Sequence, residues 1–257
     1  MITPNSTPPP AALELMGVDV QSSHSLNGLA VEGVNWTVRA GEFWVVGGLL
    51  RSGKTDFALT AAGALPPVKG SLRLFGNSMD QGFTEEEIHE RLRIGIVHDG
   101  GLLLRHLTVA ENIALPLRYH HNSTAEDVAS RVDGWVNAMD LTSQANARSS
   151  RVSRNWAQRA GLARACILSP EVLVLDNPLT GLDPHQAQWW LAMIASLAAG
   201  HRLMTYHALT MIVTCDDFRP WVTPGRKFAV LRNQRFEVLP DDQNSNQLAQ
   251  ALLDSAA

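Results

Sequence analysis

The residues whose types and spacing can do chemistry lie in Gly48-Leu49-Leu50-Arg51-Ser52-Gly53-Lys54-Thr55. They follow the apolar run Phe43-Trp44-Val45-Val46 and precede Asp56-Phe57-Ala58-Leu59-Thr60-Ala61-Ala62, which has helical character. A strand, a glycine-bounded turn and a helix in this order form a phosphate cradle: glycine freedom lets successive N–H groups turn inward, and the helix N-terminus adds partial positive charge. Lys54 would reach β- and γ-phosphate oxygens, and the Thr55 hydroxyl would hold Mg²⁺. Such a site needs an acidic residue at the end of another apolar strand, and Val172-Leu173-Val174-Leu175-Asp176 supplies it. Taken alone, Asp176 reads as an ordinary turn aspartate; beside the cradle it reads as the second metal partner.

These residues need a sheet to position them. Short β-type runs cover Glu14 to Val20, Leu29 to Val38, Glu42 to Val46, Leu72 to Phe75 and Ile94 to Val97. After Gly100 the spacing turns helical, notably over Thr124 to Met139 and Trp156 to Leu168. The strand Glu171 to Leu175, the helix Gln186 to Ala198 and the strands Thr210 to Thr214 and Lys227 to Leu231 return to the alternation of a parallel sheet. The expected organisation is one discontinuous α/β domain over residues 13–240. Its core would be 13–98 and 166–240, with a helical subdomain at 99–165, a disordered Pro-rich tail at 1–12 and a polar C-terminal tail at 241–257.

Composition narrows the function classes. Over 257 residues, 21 basic and 25 acidic side chains leave a formal charge of −4, which gives no electrostatic support to a nucleic-acid partner. The two cysteines, Cys166 and Cys215, sit in apolar contexts and supply neither a disulfide framework nor a multi-cysteine zinc site. No apolar run approaches the roughly 20 residues of a membrane span, and the first residues lack the pattern of a secretory signal. His106, His120 and His121 read as surface polar residues, Cys166 as core, and at least one of Trp189 and Trp190 as core.

The ordered blocks resemble the ATP-binding subunits of ABC transporters from about Leu13 to Pro240. After the phosphate loop come Ile94-Gly95-Ile96-Val97-His98-Asp99 at the Q-loop, the segment Leu107 to Arg118, and Gln158 to Ala165, similar to the helix behind the family signature. Leu173 to Pro184 resembles the Walker B and D-loop run, with Asp183 in the latter. The turn Asp-Gly-Gly-Leu-Leu-Leu after His98, with Glu-Asn-Ile-Ala-Leu-Pro-Leu-Arg, looks most like the ATPases of MCE-type (Mla-like) lipid transporters. The resemblance implies a P-loop α/β fold of the ABC ATPase type, mainly parallel with an N-terminal antiparallel β region. It also implies ATP and Mg²⁺ as ligands, with Gly48, Leu49, Leu50, Arg51, Ser52, Gly53, Lys54, Thr55 and Asp56 on the nucleotide. The implied assembly is a head-to-tail homodimer, or a heterodimer with a second ABC ATPase, docked on an integral-membrane permease at the cytoplasmic face. Ser153 and Asp183 would then act across that dimer.

The departures fall on positions the family uses for hydrolysis. Asn177 stands where the catalytic glutamate follows Asp176, and an amide cannot accept a proton at neutral pH. Asp99 replaces the Q-loop glutamine, and Val152-Ser153-Arg154-Asn155-Trp156 keeps only the serine of Leu-Ser-Gly-Gly-Gln. Side chains at those glycine positions impair close backbone approach, although Arg154 itself reads either as a solvated charge or as a contact to the partner's nucleotide. The switch histidine is most simply replaced by Cys215, while His207 is the rival and requires Leu203 to Tyr206 to be the strand. No aromatic adenine platform stands near Val20 to His24 unless His24 serves. The expected function is nucleotide binding with weak or lost hydrolysis in transport of a lipid or other hydrophobic solute. The alternatives are an active ATPase with Asp99 or His207 as substitute, and a structural or regulatory pseudo-ATPase that binds no nucleotide.

Overall fold

The computed structural model describes residues 9–25, 28–80, 82, 84–120, 124–205, 209–241 and 244–253. His207 and the expected tail before residue 9 lie outside them. The chain opens with strands β1 (Ala11–Gln21) and β2 (Leu29–Arg39), which pair antiparallel, and β4 (Lys69–Leu74) and β5 (Asn77–Ser78) extend the sheet in the order β2-β1-β4-β5. The tail expected up to residue 12 therefore ends earlier, because Ala11 and Leu13 already pair with Arg39 and Val38 of β2.

The second sheet runs β10-β9-β3-β8-β7-β6, comprising β3 (Phe43–Gly48), β6 (Ile94–Val97), β7 (Val172–Leu175), β8 (Thr210–Cys215), β9 (Arg226–Arg232) and β10 (Arg235–Val238). All neighbours are parallel except the β9–β10 hairpin. Parallel strands covered on both faces must be apolar throughout, and β7, Val-Leu-Val-Leu, is buried at every position. One face, with Val174, Ile212 and Ala229, packs against the antiparallel sheet around Trp36, Trp44 and Phe57. Phe57 and Ala58 come from α1 (Lys54–Ala61), so the helix behind the phosphate loop is anchored in that core.

The opposite face, with Leu173, Met211, Val213 and Cys215, packs on the helical half of the chain. That half contains α3 (Val109–His120), α4 (Ala125–Ala138), α5 (Arg154–Cys166) and α6 (Pro184–Ala198). Thr124 caps α4 by accepting from the Asp127 N–H, and Asp183 caps α6 by accepting from the Gln186 N–H, satisfying otherwise orphaned donors. Trp190 and Cys166 are buried, as expected, with Trp189 only partly covered. Gly101, at φ +82°, lets the turn after β6 lie on α5: a Cβ there would stand 2.1 Å from the Ala157 carbonyl oxygen.

Two helices were not legible as such. α2 (Glu85–Leu92) reads Glu-Glu-Glu-Ile-His-Glu-Arg-Leu, with too few apolar residues for a periodic signal; ion pairs of Arg93 to Glu90 and Glu171 fasten its end to the sheet. The segment expected as a polar tail contains α7 (Ser245–Leu253), whose Leu248 and Leu252 are buried in the helical-side core. A polar flank hid two apolar residues four apart, which face one way on a helix. Leu248→Ala should therefore cost about 2–4 kcal/mol in urea denaturation. A loss below about 0.5 kcal/mol would place α7 among surface elements.

Candidate nucleotide-binding site

The parallel strands end on one edge, and a ligand of such a sheet lies outside their carboxyl ends. β3 delivers the loop 48–53 there, β6 delivers His98 and Asp99, β7 delivers Asp176 and Asn177, and β8 delivers Thr214 to Asp216. These segments line a cavity of about 290 Å³, together with His24, Ala30 and Gln234. The loop takes left-handed conformations at Arg51 (φ 66°) and Gly53 (φ 84°). At Gly53 a Cβ would stand 2.8 Å from the Ala30 Cβ, so both the backbone angle and the packing require glycine.

Lys54 is buried and turns back over the loop, donating to the carbonyl oxygens of Gly48 at 2.6 Å and Leu49 at 2.9 Å. Its ammonium also pairs with Asp216 Oδ1 at 2.9 Å. The Thr55 hydroxyl donates to Asp176 Oδ2 at 2.8 Å, and the Thr214 hydroxyl donates to Asp176 Oδ1 at 2.8 Å. Thr214 Oγ1 in turn accepts the Asn177 N–H at 2.9 Å. Asn177 holds a left-handed φ of 48°, which asparagine tolerates, and its Nδ2 donates to Asp216 Oδ2 at 2.9 Å.

The other expected residues divide into those the fold brings here and those it does not. Asp99 lines the cavity and is ion-paired with Arg154 across the turn. Asp56 also lines it, its carboxylate accepting the Ser23 N–H at 3.1 Å, and Leu50 is 87% exposed at the rim. Ser153 and Asp183 are exposed and lie off the cavity, at the starts of α5 and α6. Of the two bulky residues at the signature, Arg154 is exposed while Asn155 is buried, accepting from Trp190 Nε1 at 3.4 Å.

Cys215 is not among the cavity-lining residues; it is buried in the helical-side core, and burial pushes its thiol pKa up. The reason is the two-residue period of β8, which sends Met211, Val213 and Cys215 to one face and Thr214 toward Asp176. The residue that meets Lys54 is therefore Asp216, which the motif order did not single out. The alternation along Thr210 to Asp216 was the signal that could have found it. Burial alone would raise the Asp216 pKa, but the Asn177 amide and the Lys54 ammonium outweigh it and hold the carboxyl below its ordinary range. His98, at the edge of the site, is pushed down by burial and by Arg164 against the opposing pull of Asp176.

The residues present fit a nucleotide with a divalent cation. Ser52 Oγ is buried without a hydrogen-bond partner, a donor left over inside the phosphate loop. The first N–H groups of α1 have no intrahelical acceptors and face the loop. Thr55 and Asp176 present adjacent oxygens of the hard type that Mg²⁺ takes.

Fold and site together define a P-loop nucleotide-binding domain of the α/β class. Residues 31–180 match the family described as ABC transporter. The chain belongs to that family, among its ATP-binding domains. It is 32% identical over 232 residues to the Nod factor export ATP-binding protein I of Rhizobium johnstonii, covering 89% of this chain and 72% of that protein. It is 34% identical over 154 residues to the taurine import ATP-binding protein TauB of Pelagibacter ubique, covering 60% of this chain and 55% of that one. The chain thus spans little more than half of one relative and under three quarters of the other. Its fold matches the ATP-binding cassette MJ0796, solved as a dimer bound to ADP and Pi, with a TM-score of 0.77 at 22% identity over 89% of this chain and 99% of that one.

The depressed Asp216 pKa has a measurable sign. Its stabilising contribution is complete at neutral pH, and as pH falls from about 5 the unfolded chain takes up the proton that the folded chain refuses. The contribution is lost as pH drops through the folded value. The melting temperature of Asp216→Asn should therefore fall less steeply than wild type between about pH 5 and pH 2.5. Parallel curves would contradict the assignment.

Proposed function

We propose that this chain is the nucleotide-binding subunit of an ABC-type transporter, binding ATP and Mg²⁺ through the 48–55 loop while hydrolysing weakly or not at all. Asn177 carries the reading. Its amide stands at the position of the general base, cannot take a proton at neutral pH, and donates to Asp216. Around it, Lys54, Thr55 and Asp176 supply the cation, hydroxyl and carboxylate that phosphate and metal binding would use. Bound Mg²⁺ would neutralise phosphate charge, with Thr55 and Asp176 as its holders. The chain's own groups bind and orient.

The exposed Ser153 and Asp183, which lie off this chain's own cavity, support a head-to-tail dimer in which a second subunit faces them. A homodimer would repeat the degenerate site, and a second ABC ATPase would still face Arg154. Nucleotide then acts as a ligand stabilising the dimer. Among the described residues no helix is long and apolar enough to cross a membrane. Similarity to proteins named as import and export ATP-binding proteins supports a permease partner that provides the membrane path, with this subunit peripheral on its cytoplasmic side. A lipid or other hydrophobic solute is supported by the resemblance of Asp99 to Leu104 and Glu111 to Arg118 to MCE-type ATPases. Leu102 (63%) and Leu104 (45%) are exposed in that segment.

An active ATPase is the second reading, favoured by the presence of Asp99 on the cavity wall. Its ion pair with Arg154 opposes that role, because a proton acceptor must be free to face the water it activates. Phosphate release and calorimetric titration separate the readings. Wild type should bind nucleotide with a Kd of about micromolar that Lys54→Ala abolishes, and should release no phosphate. Asn177→Glu alone should not restore release, since the signature remains altered. Lys54-dependent release by wild type overturns the binding-only reading; failure to bind would favour a structural role.

A further inference from the structure

The Lys54 ammonium has three hydrogens, and three oxygens surround it: the Gly48 and Leu49 carbonyls and Asp216 Oδ1. Only Asp216 among these is an anion. Lys54 is the group that reaches β- and γ-phosphates, so a carboxylate oxygen 2.9 Å from its nitrogen stands where a phosphate oxygen would stand. The other Asp216 oxygen accepts from Asn177 Nδ2 at 2.9 Å and Thr180 Oγ1 at 3.5 Å, so the carboxylate is held from both sides. These two donors follow β7, beside the metal-facing Asp176. Asp216 thus bridges Lys54 to Asn177, which stands at the position of the general base and so on the terminal-phosphate side of the cavity.

On the reading that this cavity binds nucleotide, we propose that Asp216 is a specificity-determining residue that makes the site favour a nucleoside diphosphate over the triphosphate. A diphosphate uses the loop N–H groups, Ser52 and Thr55, and only its β-phosphate shares Lys54 with Asp216. A third phosphate brings further negative charge against Asp216, and must either tolerate the repulsion or displace the carboxylate from three donors. Either cost is greater for the triphosphate, whose additional phosphate lies on the Asn177 side of the cavity. ATP remains a ligand, bound more weakly than ADP.

The test is calorimetric titration of the full chain with Mg²⁺–ADP and with a non-hydrolysable Mg²⁺–ATP analogue, for wild type, Asp216→Asn and Asp216→Ala. Wild type should bind the diphosphate about tenfold or more tightly, and both variants should shift that ratio about tenfold toward the triphosphate. The wild-type ratio needs no variant to fold, so equal or tighter triphosphate binding by wild type overturns the proposal by itself. A ratio unchanged in folded variants overturns it as well, and in both cases nucleotide binding still stands. Absence of binding by either nucleotide removes the nucleotide reading too.

Discussion

The site hangs on one carboxylate. Asp176 is buried at the end of β7 and would be costly there as an unpaired charge. Hydroxyls from two other elements resolve that cost, Thr55 at the start of α1 and Thr214 near the end of β8. The same bonds fix the phosphate loop against the sheet and set the distance between neighbouring strand ends. Thr214 extends the tie to the Asn177 backbone, so the left-handed turn after Asp176 belongs to the same network.

From that anchor, the arrangement of charge follows. Lys54 is held by two backbone carbonyls and by Asp216, and Asp216 is held by Asn177. A glutamate at position 177 would set a second negative charge beside Asp216, whereas the amide supplies a donor. The amide at position 177 and the carboxylate at Lys54 are thus physically consistent with each other. Asp99 and Arg154 are matched in the same way: two residues from separate segments meet as an ion pair, brought together by the Gly101 turn lying on α5.

Stability and function draw on the same sheet in different ways. Its two faces are sealed by separate cores, one under the antiparallel sheet and one under the helices. Backbone polar groups pair along the ladders, and the carboxyl edge carries the side chains that line the cavity. Ligand-facing residues therefore collect where strands stop, and residues within the strands are left free to be apolar.

Most of the architecture was legible in the residues alone. The strands β3, β6 and β7 announce themselves as short apolar runs, and the glycine spacing around Lys54 and Thr55 identifies the phosphate loop, because local backbone chemistry decides both. What stayed hidden depends on contacts between distant segments. α2 is held by ion pairs rather than periodicity, and α7 packs through two leucines in a polar context. The motif order pointed to Cys215, but strand alternation turns that side chain into the core and leaves Asp216 facing Lys54. The sequence by itself determined which chemical groups the site owns. Only the tertiary structure decided which of them touch, because the direction of a side chain at a strand end is set by pairing with neighbours far away in the chain.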